Sequence, residues 1–320
     1  MSNKRFSTAE EFAQFKVHVR DQYQPLGKVD SRLDDALATV IQNTKDFDHN
    51  AASSQRFLFV TGPSGSGKTY TLKRKFSVIP EFQSFVDGKG KRQVPFITYR
   101  APKQFNPKEM LIKIAQQLGI PSRGSENHLR DVLDEQIPFH GLKYIHIDEA
   151  QHGIRANTST KIIAFQDALK AITSMDHWPL HIILSGMPNL DDLRASDDQI
   201  ERRSELVKLH QLDMPDDLEI LKMAIVKVIV EHCGLTLAPE LDVGDLAERL
   251  SYACNGAWGY MIETVQNACF LAVQNDRSQV KMDHFAHNYR QKSACQAKDN
   301  IFSVASPFWR QITRVNRNLA

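Results

Sequence analysis

The stretch that decides the fold is Arg56-Phe57-Leu58-Phe59-Val60-Thr61-Gly62-Pro63-Ser64-Gly65-Ser66-Gly67-Lys68-Thr69. Its first half is a short apolar run that ends at glycines, the pattern of a parallel strand buried on both faces. Its second half spells G-x-x-x-x-G-K-T and opens a helical pattern from Lys68 to about Ser77. Strand, glycine-rich turn and helix, in that order, are the context in which this motif wraps a phosphate. The glycines let the backbone come close, and the amide N–H groups at the helix start face the negative charge. Lys68 would reach the β- and γ-phosphates of a nucleoside triphosphate, and the Thr69 hydroxyl would ligate Mg²⁺. The candidate nucleotide contacts are therefore Gly62, Pro63, Ser64, Gly65, Ser66, Gly67, Lys68, Thr69 and Tyr70. A chance glycine-rich turn is the bland alternative, and both flanks argue against it.

Working outward, three further apolar runs read as strands: 94–99, 142–147 and 180–185. Helical patterns lie between them at 108–118 and 161–174. Strands so widely separated cannot be hairpins, so the expectation is a parallel sheet with helices on both faces. Near 209–217 the character changes, and 218–233, 243–252, 259–275 and 282–291 all read as helix. The expected division is an N-terminal helical extension (1–50, broken at Pro25-Leu26-Gly27), a nucleotide-binding α/β domain (51–212), a small all-helical lid domain (213–290) and a basic, aromatic tail (291–320).

The 142–147 strand runs into Asp148-Glu149, which places two carboxylates at the C-terminal edge where such sheets bind ligands. Asp148 can hold the magnesium through water, and Glu149 can orient or deprotonate the attacking water. Taken alone, Asp-Glu after a strand is often a solvated turn; the upstream phosphate loop favours the chemical reading. The fourth strand ends at Ser185-Gly186, where a polar side chain would lie beside Asp148's strand and help place that water, or else cap a turn. In 198–203, Asp-Gln-Ile-Glu-Arg-Arg, the pair Arg202 and Arg203 cannot easily reach its own phosphates. In a ring or filament it would project to a neighbour's γ-phosphate; the alternative is a salt-bridged helix surface.

Together these residues resemble the AAA+ superfamily, and within it the transposition-regulator ATPases of the TniB and TnsC type. The resemblance is carried by GPSGSGKTYTLKRKF at 62–76, YIHIDEAQHG at 144–153, ILSGMPNLDDL at 183–193 and DDQIERRSELVKLHQL at 197–212, and covers roughly 25–290. It implies a P-loop AAA+ parallel sheet followed by a helical lid, and slow or partner-stimulated hydrolysis of ATP with Mg²⁺. It further implies a homo-oligomer, ring or helical filament, on double-stranded target DNA, recruitment of a transposase, and in some systems a link to a target-selection protein. Disassembly on hydrolysis would control insertion. Lys68 and Thr69 would be Walker A, Asp148 and Glu149 Walker B, Ser185 the sensor, and Arg202 or Arg203 the arginine acting in trans. Many AAA+ relatives carry a lid arginine; here Asn255-Gly256-Ala257-Trp258-Gly259-Tyr260 has none, which points to slower or differently controlled hydrolysis.

With a net charge of +2, average charge says little about partners, so a nucleic-acid reading rests on local clusters. Lys89, Lys91, Arg92, Arg100, Lys103 and Lys108 fall within 88–108 without an acid. Lys103, with Arg100, Lys89, Lys91 and Arg92, are the DNA candidates, against a solvated loop. The 281–320 stretch carries seven Lys or Arg against Asp283 and Asp299, with Phe302, Phe308 and Trp309 interleaved. Docking on a partner or subunit ranks first for it, packing on its own lid second, DNA third. His146, His152, His177 and His181 match no zinc spacing and read as core or surface residues.

The four cysteines, Cys233, Cys254, Cys269 and Cys295, form no C-x-x-C pair. With no apolar leader and no membrane-length apolar stretch, an intracellular protein without a membrane partner is expected; the resemblance implies a bacterial, cytoplasmic and DNA-associated one. The alternatives are another AAA+ remodelling or loader ATPase, and a nucleotide-gated scaffold that never touches DNA; a small-molecule kinase fits the helical C-terminal part poorly.

Overall fold

Two helices precede the first strand in the computed structural model, which describes residues 6, 8–22, 28–102, 106–153, 159–175 and 177–312. Helix α1 (Ala9–Asp21) starts at a capping box: the Glu11 amide donates to Thr8 Oγ1 at 3.1 Å, and the Thr8 amide donates back to Glu11. Two of the helix's otherwise unpaired N–H groups are satisfied in this way. Helix α2 (Lys28–Phe47) follows. The Pro25-Leu26-Gly27 break lies outside the described residues.

The chain forms two compact units. The first, Lys28–Pro63 with Lys68–Leu209, is built on a five-stranded sheet. Its elements are β1 (Phe57–Thr61), α3 (Lys68–Val78), the small hairpin β2 (Phe85–Val86) and β3 (Arg92–Gln93), β4 (Phe96–Arg100), α4 (Pro107–Leu118), α5 (Glu126–Phe139), β5 (Tyr144–Asp148), α6 (Ser159–Thr173), β6 (His181–Gly186), α7 (Leu190–Ala195), α8 (Asp198–Arg202) and β7 (Ser204–Lys208). The sheet order is β4-β5-β6-β1-β7, every pair parallel, as expected for a P-loop parallel sheet flanked by helices.

Alternation along the strands sorts the core into two layers. Leu58, Val60, Tyr144, Ile183 and Val207 face α2 and α3 through Leu33, Leu37, Leu72 and Phe76. Phe57, Phe59, Ile97, Ile145, Ile147, Ile182 and Leu184 face the other way, onto Met110, Leu111, Leu133, Phe165 and Leu169. Both layers are apolar, so the strands read as unbroken hydrophobic runs.

On the α2 face stands His181, 1 % exposed, with Asn43 Nδ2 3.1 Å from its Nε2 and Thr44 Oγ1 3.3 Å from its Nδ1. Burial, with Arg56 adding to it, lowers the ring's pKa to about 4. The unfolded chain therefore takes up a proton that the folded chain refuses between roughly pH 6.5 and pH 4. This contribution is whole above about pH 6.5 and is lost as pH falls toward 4. Urea unfolding across that window should show stability declining with acid, and His181→Gln should flatten the decline.

The second unit comprises α1, the loop tip Ser64–Gly67 and the chain from His210 onward. Its elements are α9 (Leu218–Lys227), which continues into a π-helical turn at Val228–His232, then β8 (Thr236–Leu237), α10 (Val243–Cys254), α11 (Trp258–Gln274), β9 (Gln279–Val280) and α12 (Met282–Ser293). The sheet unit ends at Leu209, and the 1–50 stretch is divided between the units: α1 joins the helical unit and α2 the sheet unit. Val19 of α1 sits in the helical core, and Phe12 and Phe15 meet Phe270 edge-on.

The tail also departs from the leading expectation. Phe302 stacks on Phe285, and Trp309 Nε1 donates to Asp245 at 3.0 Å; only Phe308 of the three aromatics is exposed. Arg249, 3 % exposed, pairs with Asp245 at 2.7 Å and donates to the carbonyls of Ile301 and Val304. A buried guanidinium is tolerated because three acceptors meet it, so the tail through Ile312 is part of this unit's own fold. Arg249→Ala, which removes the buried ion-pair partner of Asp245 and the guanidinium donor of two carbonyls, should cost about 3–5 kcal/mol in denaturant unfolding.

Candidate functional site

Strand β1 ends at Thr61, and α3 begins seven residues later at Lys68. The turn between them needs left-handed backbone at Gly65 (φ +75°) and Gly67 (φ +89°), which a Cβ would strain. Lys68 Nζ folds back to donate to the carbonyls of Gly62 at 2.6 Å and Pro63 at 2.9 Å. Burial lowers its pKa, while Glu149 and Asp148 pull the other way. Thr69 and Tyr70, in the first turn of α3, are exposed.

From β5 comes Asp148. Its Oδ1 accepts the Ser185 hydroxyl at 2.7 Å and the Glu149 amide at 2.9 Å, and its Oδ2 accepts the Thr69 hydroxyl at 3.3 Å. Thr69 and Asp148 thus bring two hard oxygen donors together beside the loop, a donor set that suits Mg²⁺ completed by phosphate and water. Ser185 is fully buried at the end of β6, the strand that separates β5 from β1. Its hydroxyl also meets His146 Nε2 at 2.9 Å, and His146 Nδ1 lies 2.8 Å from Thr98 Oγ1. Burial lowers the pKa of the His146 ring to about 4, against the opposing pull of Asp148.

Glu149 has φ +54°, an uncommon conformation for a side-chain-bearing residue and one that tends to mark functional sites. Gln151 Nε2 holds its carboxylate at 2.6 Å, with His152 Nε2 at 3.6 Å and Arg100 at 4.0 Å. Gln151, 1 % exposed, uses its other amide atom to accept from the Met187 amide at 3.1 Å. The sequence reading gave no role to Gln151 or His146: one lies in a polar string after the acids, the other in an apolar strand. Strand register brings His146 to Ser185 and so to Asp148, and the short 3-10 turn Ala150–Gly153 that follows β5 folds Gln151 back onto Glu149.

Arg202 and Arg203 are not brought to this site. Arg202 ends α8 and Arg203 caps it, just before β7, whose Ser204 pairs with Phe57 while Lys208 pairs with Thr61, so the length of β1, about 13 Å, separates them from the loop end. Arg202 is exposed; Arg203, half-buried, lies close enough to Arg56 that its charge helps lower the Arg56 pKa. Of the DNA candidates, Lys103 lies outside the described residues. Arg100 is exposed at the end of β4 beside Glu149; Lys89 and Arg92 are exposed on the hairpin. Lys91 does not reach outward as expected: its ammonium sits 3.0 Å from the centre of the Phe139 ring and donates to the Phe139 carbonyl.

In the helical unit, Asn255–Tyr260 carries Tyr260, whose Oη lies 3.1 Å from Ser64 Oγ of the loop tip. Gly259 has no room for a side chain there, since a Cβ would stand 2.7 Å from the Gly65 carbonyl.

Residues 50–193 match the family model of the AAA domain. No curated protein sequence matches the chain. Among solved structures, the Aeropyrum pernix ORC2 protein in its ADPNP-ADP complexes is similar at 16 % identity and TM-score 0.56, over 87 % of this chain and 77 % of that one. Cdc6p from Pyrobaculum aerophilum is similar at 14 % identity and TM-score 0.55, over 89 % and 76 %. The ADP form of the ORC2 protein gives 15 % identity and TM-score 0.55, over 83 % and 71 %. At these identities the likeness establishes the fold, an AAA+ P-loop sheet with a helical C-terminal region.

If Glu149 activates water, Glu149→Gln should retain ATP binding and lose about a hundredfold or more in hydrolysis rate. Binding of a fluorescent ATP analogue alongside phosphate release tests this; an unchanged rate would remove Glu149 from that role.

Proposed function

We propose that the chain is an ATP-dependent, DNA-binding regulator of transposition that oligomerises on double-stranded target DNA, recruits a transposase and is disassembled by ATP hydrolysis. The observation that carries the oligomeric part is the separation of Arg202 and Arg203 from their own phosphate loop. Among the described residues, Arg100 is the arginine that stands beside Glu149 at the site of Lys68, Thr69, Asp148 and Glu149, whereas Arg202 and Arg203 lie at the opposite end of the sheet, where Arg202 is exposed and open to a second copy's γ-phosphate. The transposition part is supported by the 144–153 and 183–193 strings, whose Gln151 ties Glu149 to Met187. Arg100, exposed beside Glu149, supports a link between DNA contact and the water-activating carboxylate. No helix among the described residues is long and apolar enough to cross a membrane.

A second reading, another AAA+ DNA-remodelling or loader ATPase, draws support from the fold likeness to the ORC2 protein and Cdc6p.

Electron microscopy with random-sequence duplex DNA, comparing a non-hydrolysable ATP analogue with ADP, separates the readings. The proposal expects ordered oligomers around duplex only with the analogue, lost in Arg202→Ala or Arg203→Ala with ATP binding retained. Binding to single strands alone would favour the loader, and monomers under both nucleotides would overturn both.

A further inference from the structure

A line of polar side chains crosses the otherwise apolar α3 face of the sheet. Thr98 and His146 are direct partners across β4 and β5; Ile183 is the partner of His146 across β5 and β6, and Ser185 lies two residues further along the same face. The line runs from Thr98 Oγ1 to His146 Nδ1 (2.8 Å), from His146 Nε2 to Ser185 Oγ (2.9 Å), and from Ser185 Oγ to Asp148 Oδ1 (2.7 Å).

Counting protons gives this line a direction. A carboxylate oxygen accepts only, so the single Ser185 hydrogen goes to Asp148. Ser185 Oγ must then accept from His146, which puts the ring hydrogen on Nε2. Nδ1 is left bare and accepts the Thr98 hydroxyl. Each donor holds the next in one orientation, and the last holds Asp148.

We propose that His146, with Thr98 behind it, is a positioning residue for the magnesium-facing carboxylate. Through Ser185 it keeps Asp148 Oδ1 engaged, so that Oδ2 alone stays turned toward Thr69. Outer-shell partners of this kind fix the orientation of a ligating carboxylate and tune metal affinity. The inference rests on the reading of Thr69 and Asp148 as the magnesium ligands. Its rival is simple packing, since the His146 ring also lies 4.9 Å from that of Phe76. Packing needs only a ring; the proposal needs the Nε2 donor.

The two separate in a magnesium titration of the full chain with a fluorescent ATP analogue, paired with the same binding measured in EDTA and with thermal melting. His146→Phe keeps a ring and removes the donor; the half-saturating Mg²⁺ concentration should rise about tenfold, with EDTA affinity within about twofold of the parent. His146→Gln places an amide donor near the Nε2 position and should recover most of that loss. Thr98→Val, on the exposed edge strand, should leave melting unchanged and still raise the Mg²⁺ requirement about threefold. This variant decides the matter if His146→Phe does not fold. A His146→Phe requirement equal to that of the parent, or Phe and Gln variants equally impaired, overturns the proposal. A parent whose nucleotide binding ignores Mg²⁺ overturns the underlying site reading and the proposal with it.

Discussion

The carboxylate of Asp148 has two oxygens, and the arrangement of the sheet decides what each of them meets. Oδ1 takes the Ser185 hydroxyl and the Glu149 amide, and Oδ2 takes Thr69. These groups come from the ends of β5 and β6 and the start of α3, which follows β1. They converge because the three strands are adjacent and parallel, so their C-terminal ends share one edge. The order β5-β6-β1 matters in detail: β6 lies between the acid's strand and the loop's strand, and its last polar residue fills the gap. An antiparallel β6 would carry Ser185 to the far edge and leave Asp148 without that donor.

The same economy governs the buried polar groups of this unit. A histidine inside an apolar layer must be neutral and must find partners for both ring nitrogens. His181 finds them in Asn43 and Thr44 of α2, and His146 finds them in Thr98 and Ser185. The first pair ties a helix to the sheet and touches nothing at the site. The second ends on a carboxylate at the ligand edge. Identical residue type and burial thus serve two purposes, and the hydrogen-bond partners alone tell them apart.

This is also where the sequence stopped being legible. Three of the four strands visible as apolar runs, β1, β5 and β6, are buried on both faces, the fourth, β4, is an edge strand with Thr98 and Arg100 exposed, and the phosphate loop announces itself by spacing. The fifth strand, Ser204–Lys208, lies at the sheet edge with Glu205 and Lys208 in a run of five, so hydrophobic pattern does not reveal it. Helix α5 has only Leu129, Leu133 and Ile137 as its buried stripe, in a charged stretch that contains Pro138. The attachment of α1 to the helical unit depends on Val19 joining a core whose other buried members lie more than 200 positions away, with Gln266 Nε2 donating to the Val19 carbonyl at 3.3 Å. Trp309 and Phe302 looked like a docking surface because aromatics among basic residues carry the same pattern whether they meet another protein or their own helices. Lys91 looked free because its partner is the face of an aromatic ring, which no charge count registers.

A final consequence follows from where the two ends of the sheet place their charges. On the proposed function, the end carrying Lys68, Thr69, Asp148 and Glu149 would receive the triphosphate and its divalent cation. The opposite end, just before β7, carries Arg202, exposed, and Arg203, half-buried. On the same reading, the first surface would take further positive charge at the outermost phosphate and the second would offer it, while the length of β1 keeps the two apart within a chain. If two copies meet through these surfaces, the contact joins unlike patches. Such a heterologous interface has no two-fold axis, so each added copy exposes again the surface that was just covered. Growth ends only if the rotation closes on itself, and otherwise continues as a helix. Nucleotide at each junction would then govern the cohesion of the whole assembly, because every phosphate site would also be a subunit interface.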